Sequence, residues 1–170
     1  LKARNEHKAA KADKPCYVYS KGGLARAANS VWRSHRRGNI PFIEPTALGI
    51  LLRALNKPVR FGAWGDPSYI PERVRALVDG KTGTSYTSRW RECPSARKTS
   101  MASVSTLSDM RDAWKLGFRT YRVDTENVGV QRGEIHCPEQ AKPERNITCS
   151  TCLLCSGQKL NAKSIMISPI

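Results

Sequence analysis

No run of about 18 apolar residues occurs in this chain, so nothing in it is suited to spanning a bilayer, and no apolar signal-type segment opens it. The common catalytic signatures are missing too. There is no P-loop, no G-x-G-x-x-G, no G-x-S-x-G and no H-E-x-x-H, which excludes the usual phosphate cradle, dinucleotide site, serine-hydrolase elbow and zinc-peptidase helix. No helix-turn-helix, finger or RNP pattern offers base-specific readout. The three histidines, His7, His35 and His136, lie far apart, and nothing local pairs one of them with Cys16 or Cys93 as a nucleophile. The chain opens on Leu1 rather than Met, as expected of a fragment, a processed chain or an incomplete N-terminus.

Acidic residues are also scarce. Of 170 residues, 14 are acidic and 29 basic, giving a net charge of +15. Residues 1–40 hold ten basic side chains against Glu6 and Asp13, so over half of the excess sits in a quarter of the chain. A concentrated positive field attracts polyanions and gains affinity by releasing their condensed counterions, which points to nucleic acid, DNA or RNA, as partner. Lys21, Arg26, Arg33, Arg36, Arg37 and, further on, Arg89 are the candidate contacts. A solubilising surface or an anion pocket would account for the same charge. An anionic membrane is the weaker fit, because the basic N-terminal segment lacks a large apolar face.

Six cysteines are present, and four of them carry a pattern. Cys149, Cys152 and Cys155 form C-x2-C-x2-C, with Cys137 a short loop upstream. Two-residue gaps let sulfurs converge on one face of a tight turn, where a metal centre can bind them as thiolates. Structural zinc usually takes two separated pairs, whereas a triple with a remote fourth thiol is nearer the iron–sulfur run of bacterial ferredoxins. A [4Fe-4S] cluster is therefore expected, with zinc, and then disulfides or free thiols, as alternatives. Asn146-Ile147-Thr148 is a glycosylation sequon and six is an even number, but the cysteine density is low for a disulfide scaffold. A reducing compartment, the cytoplasm, is favoured. His136, beside Cys137, is a candidate substitute ligand.

The remaining pattern suggests one globular domain of α/β class. Residues 1–57 read as a basic helical segment, 58–136 as a βα core, and 137–170 as a cysteine-rich metal loop with a final strand. Residues 1–14 form an exposed arm or solvated helix, and Pro15 to Tyr19 a buried aromatic segment. After a break at Gly22-Gly23, helical spacing predicts a helix over 24–37 with one packed face, and another over 47–56, capped by Thr46 and turning Leu48, Leu51, Leu52 and Leu55 inward. Strands are expected over 59–64, 84–87, 119–123 and 164–168, with helices over 71–78 and 107–116, the latter opened by Thr106. Such alternation favours right-handed βαβ units and a mostly parallel sheet. Functional groups then collect at the carboxyl ends of strands, which would bring Asp66, residues 85–90, Ser105, Asp124 and the cysteine loop to one rim. Asp66 reads either as a ligand to substrate, ion or ribose or as the cap of its own turn. Tyr86, Arg89 and Trp90 offer stacking and anion-binding chemistry, or else close the core.

Several short motifs carry a resemblance: Pro15-Cys16-Tyr17, Gly62-x-x-Gly65-Asp66-Pro67, Tyr86-Thr87 with Trp90, Met101-Ala102-Ser103-Val104, Gly117-x-Arg119-Thr120-x-Arg122-Val123, and the Cys137 to Cys155 loop. Together they resemble a family of phage- and plasmid-borne proteins similar to radical-SAM proteins. The resemblance implies a partial or complete (β/α) barrel, an iron–sulfur centre, a mobile-element origin in the host cytoplasm and, for an enzyme acting on a nucleotide or modified base, S-adenosylmethionine. The chain lacks the radical-SAM spacing C-x3-C-x2-C. Cys16, followed by an aromatic residue, resembles the last thiol of such a motif and would belong to a second centre.

Overall fold

The computed structural model describes residues 22–169 apart from 64 and 79. The N-terminal arm, the segment around Cys16 and Tyr17, and Lys21 lie outside the described residues. The chain divides into two units, Leu1–Ile43 and Glu44–Ile170.

In the first unit, helix α1 (Gly22–Arg36) starts at the glycine pair that sequence reasoning assigned to a break. Its last turn gathers Arg33, His35 and Arg36, where the partial negative charge of the carbonyl end favours cations. Val31 and Trp32, expected to pack, are exposed.

The second unit begins with helix α2 (Pro45–Leu55), whose N-cap is Glu44 with Pro45 in the first turn; Thr46 does not cap it. Leu48 and Leu52 are half-buried, and the helix packs on the 3-10 turn Ala76–Val78 that follows helix α3 (Glu72–Arg75). Leu51 and Leu55, expected inward, are exposed. The expected strand from residue 59 reduces to one parallel bridge, Val59 with Thr82. The reason is local. Gly62 has φ +75°, and a Cβ there would meet Pro67 Cδ at 2.8 Å and the Gly65 carbonyl at 2.9 Å, so the chain folds into a tight turn before Pro67 instead of extending.

Five parallel strands follow: β1 (Tyr86–Thr87), β2 (Met101–Val104), β3 (Thr120–Val123), β4 (Glu134–His136) and β5 (Ser164–Ile167), in the spatial order β1-β2-β3-β5-β4. The protein is thus α/β with a parallel sheet. β1 and β4 stand at the two ends of the row. Between β2 and β3 runs helix α4 (Leu107–Lys115), held at its start by Thr106, whose hydroxyl accepts from the Asp109 amide at 3.1 Å.

Register sorts the side chains into two faces, because successive residues of a strand alternate. On one face Ala102 and Val104 meet Met110 and Ala113 of α4 together with Trp90, Ala96 and Phe118, an ordinary apolar core. On the other face Met101 and Ile165 pack with Tyr86, Tyr121, Ile135, Ile167 and Leu154, and with two cysteines, Cys137 and Cys155. No helix of the described residues is long and apolar enough to cross a membrane.

On the α4 face lies a buried ion network. The Arg122 side chain, 0% exposed, donates from Nε and Nη2 to the two oxygens of Glu134 at 3.0 and 2.7 Å, and from Nη1 to Asp124 at 2.6 Å. It thereby reaches from β3 past β5 to the edge strand β4, which is only three residues long and is secured by this bidentate pair. Removing one partner would leave a buried charge uncompensated. Glu134→Ala should therefore destabilise the fold by about 3 kcal/mol in urea unfolding, whereas a loss under about 1 kcal/mol would show the pair to be dispensable.

Candidate metal centre

The cysteine loop crosses the Met101–Ile165 face of the sheet. Cys137 follows β4 directly, its amide donating to the Met166 carbonyl at 2.8 Å, and acts as the N-cap of the short helix α5 (Pro138–Ala141). Cys149 and Cys152 are the first and last residues of one helical turn, α6 (Cys149–Cys152), which sets them three apart on the same side. Thr148 and Thr151 form a capping box at its start. Leu153 then takes φ +51°, a left-handed conformation that costs a non-glycine residue about 1–2 kcal/mol, and this sharp exit returns the chain so that Cys155 faces the sheet.

Three anchors fix the last cysteine. The Ser85 amide donates to the Cys155 carbonyl at 3.2 Å. Arg119 donates from Nη1 to the carbonyls of Leu154 (2.9 Å) and Ser156 (2.7 Å), the residues on either side of Cys155, and from Nη2 to the Lys163 carbonyl. Gly157 lies so close to the entry of β2 that a Cβ would land on the backbone of Thr99 and Ser100. These contacts hold Cys155 near the amino ends of β1, β2 and β3, whereas Cys137 stands at the carboxyl end of β4.

All four cysteines line one small cavity, with Pro138, Leu153, Leu154 and Ile165 as apolar wall. All five described cysteines, these four and Cys93, are free thiols. Cys155 is buried, Cys137 and Cys152 are half-buried, and Cys149 is exposed. Among the described residues no three His, Cys, Asp or Glu side chains form a group that could hold a metal ion.

Neighbouring groups polarise the site unevenly. Burial pushes the Cys155 thiol up to about 11; the Tyr86 hydroxyl, donating to its sulfur, works against this, while the other three cysteines add to it. The Cys149 thiol is raised by burial and by Glu139, to which it donates at 3.5 Å. The Tyr86 and Tyr121 rings lie tilted at 43° to one another with centroids 4.4 Å apart. Burial, then the adjacent cysteines, raise both phenols, Tyr121 to about 12. A metal entering this site would displace protons from the thiols.

The expected common rim divides. Asp66 lies at the carboxyl end of β1 but is saturated: it caps the turn Pro67–Tyr69 through the Ser68 amide (2.9 Å) and accepts from Thr87 Oγ1 (2.7 Å) and from the amide (2.8 Å) and hydroxyl (2.9 Å) of Ser88. Burial would raise its carboxyl, but these bonds together hold it below the usual value. It is a structural cap. Trp90, 2% exposed, belongs to the α4 core, with Arg91 over its ring, and offers no stacking surface. Arg89 lies over Tyr69 and pairs with Glu92 at 3.7 Å. His136 is absent from the cavity lining; it has Ser168 Oγ at 3.4 Å, as expected of a residue next to Cys137 on an alternating strand. Tyr86 turns to the cysteine face, which brings it beside Cys155 and away from Trp90. Arg119, Tyr121 and Glu139 were missed by sequence reasoning. An arginine at the entry of a buried strand was the available signal for the first. Arg33, Arg36 and Arg37 are exposed on and just after α1; Arg26 lies within α1.

Two outcomes follow from this geometry. Gly157→Ala should detach the loop from β2, destabilising the protein by about 1–3 kcal/mol and speeding amide exchange over residues 149–157; unchanged exchange there would contradict the docking. Because the folded-state carboxyl of Asp66 is depressed, its contribution is present above about pH 4 and is lost as pH falls further. Asp66→Asn should lower the urea midpoint at pH 6 and leave a shallower acid decline, and an unaltered acid limb would refute the assignment.

Searches among protein-family models, curated proteins and solved structures return no match for this chain.

Proposed function

We propose that this protein is an iron–sulfur protein whose Cys137, Cys149, Cys152 and Cys155 hold a [4Fe-4S] cluster, and that its basic helix α1 contacts nucleic acid. The observation that carries the first half is the convergence of all four thiols on one largely apolar cavity. Soft thiolate donors suit iron–sulfur clusters and zinc and disfavour magnesium or calcium. Between the first two, the spacing in the sequence supports the cluster. Structural zinc usually takes two separated pairs of ligands, whereas C-x2-C-x2-C with a remote fourth thiol is nearer the run that binds a polynuclear core with one ligand per corner. Four cysteine ligands close every corner, so the centre is structural or electron-transferring, and the thiols persist in a reducing compartment such as the cytoplasm. The radical-SAM reading, with its (β/α) barrel and S-adenosylmethionine, needs an iron free of cysteine, for which Cys16 and residues before it would have to supply a second centre.

The second half rests on Trp32, 52% exposed, with the His35 ring 5.8 Å away and Arg33, Arg36 and Arg37 exposed beside them. No acidic residue occurs from 22 to 37. Cations flanking an exposed aromatic pair suit a phosphate backbone and a base face.

Anaerobically purified protein should be brown and contain about four iron and four acid-labile sulfide per chain. Colourless protein with stoichiometric zinc would replace this reading by a zinc-stapled module. Binding to an oligonucleotide should weaken steeply with salt, and removing Arg33, Arg36 and Arg37 together should lower the log–log salt slope by about 2–3. Salt-insensitive binding would reject the nucleic-acid half.

A further inference from the structure

Two arginines three residues apart are both buried, and they are treated differently. Arg122 is neutralised by two carboxylates, Glu134 and Asp124. Arg119, 5% exposed, has no carboxylate within ion-pair reach among the described residues. Its Nη atoms are committed to the carbonyls of Leu154, Ser156 and Lys163, and its buried Nε has no hydrogen-bond partner. A buried cation without an anion is costly, and carbonyl oxygens supply dipoles but no charge. The charged neighbour that Arg119 does have is Cys155, once that sulfur is ionised.

We infer that Arg119 is the buried counter-ion of the cysteine centre, holding its potential up by charge while it positions Cys155 through the two flanking carbonyls. This rests on the iron–sulfur reading above. A core bound by four thiolates is net negative, and each added electron makes it more so. A fixed cation beside one ligand stabilises the reduced state over the oxidised one, which raises the midpoint potential. The net charge of the site and its hydrogen bonds are the protein's principal means of setting a cluster potential. The residue acts through Cys155 and need not touch the core. The arrangement is lopsided: Cys155 has the cation and the Tyr86 hydroxyl, while exposed Cys149 has the carboxylate of Glu139.

The test is redox titration of the anaerobically purified protein, followed by electron paramagnetic resonance, for the unaltered chain, Arg119→Met and Arg119→Lys. Met should keep bound iron but shift the reduction equilibrium at least tenfold toward the oxidised form, about 59 mV for a one-electron couple, and Lys should restore most of that shift. If Met carries a cluster at an unchanged potential, the inference fails while the cluster stands. If the unaltered chain carries no cluster, the reading beneath it fails instead. Should Met not fold, Lys decides: a cluster near the original potential supports the counter-ion role. A folded Lys variant without iron, or failure of both variants to fold, reduces Arg119 to a purely structural clamp and overturns the inference.

Discussion

The Arg119 guanidinium joins the carbonyls of Leu154, Ser156 and Lys163 to the entry of β3, and on this clamp the cysteine side of the protein depends. Beside it, the segment from α6 to β5 is held by the Ser85 bond to Cys155, by Gln158, whose Oε1 accepts from the Thr82 amide at 2.8 Å, by the fit of Gly157 against the entry of β2, and by the apolar contacts of Leu154. Each lies within a few residues of Cys155. The chain therefore concentrates its long-range anchoring at the thiol that is most deeply buried.

A two-faced sheet explains why such a loop is needed. On one face α4 supplies a regular apolar cover, and the Arg122 network ties the short edge strand β4 to β3. Among the described residues no comparable helix covers the opposite face, where Met101 and Ile165 pack with tyrosines, leucine and cysteine. Parallel sheets are stable only with both faces covered. Here the second cover is a loop of one-turn helices, α5 and α6, too short to be stable alone, so a bound inorganic core would contribute folding free energy as well as chemistry.

Much of this was legible in the sequence, for identifiable reasons. The α4 helix follows from Thr106 as cap and its apolar spacing, β3 and β5 from runs of β-formers, and the four thiols that share one cavity from C-x2-C-x2-C with an upstream thiol. Strand β4 was not legible, because Glu-Ile-His shows no apolar alternation and is held by Arg122 from two strands away. The strand expected from residue 59 failed because Gly62 adopts positive φ where an extended residue was assumed. Tyr86 and Trp90 were grouped by proximity, yet the register sends them to opposite faces. Asp66 kept the capping role that its Gly–Asp–Pro setting allowed, because Thr87 and Ser88 come to it only through the fold.

X-ray absorption at the metal edge of the anaerobically purified protein tests the central claim most directly. Four cysteines closing on a polynuclear core predict an iron edge, a sulfur shell and a second shell of iron–iron scattering. A zinc edge with a single sulfur shell near about 2.3 Å and no metal–metal scattering would contradict it.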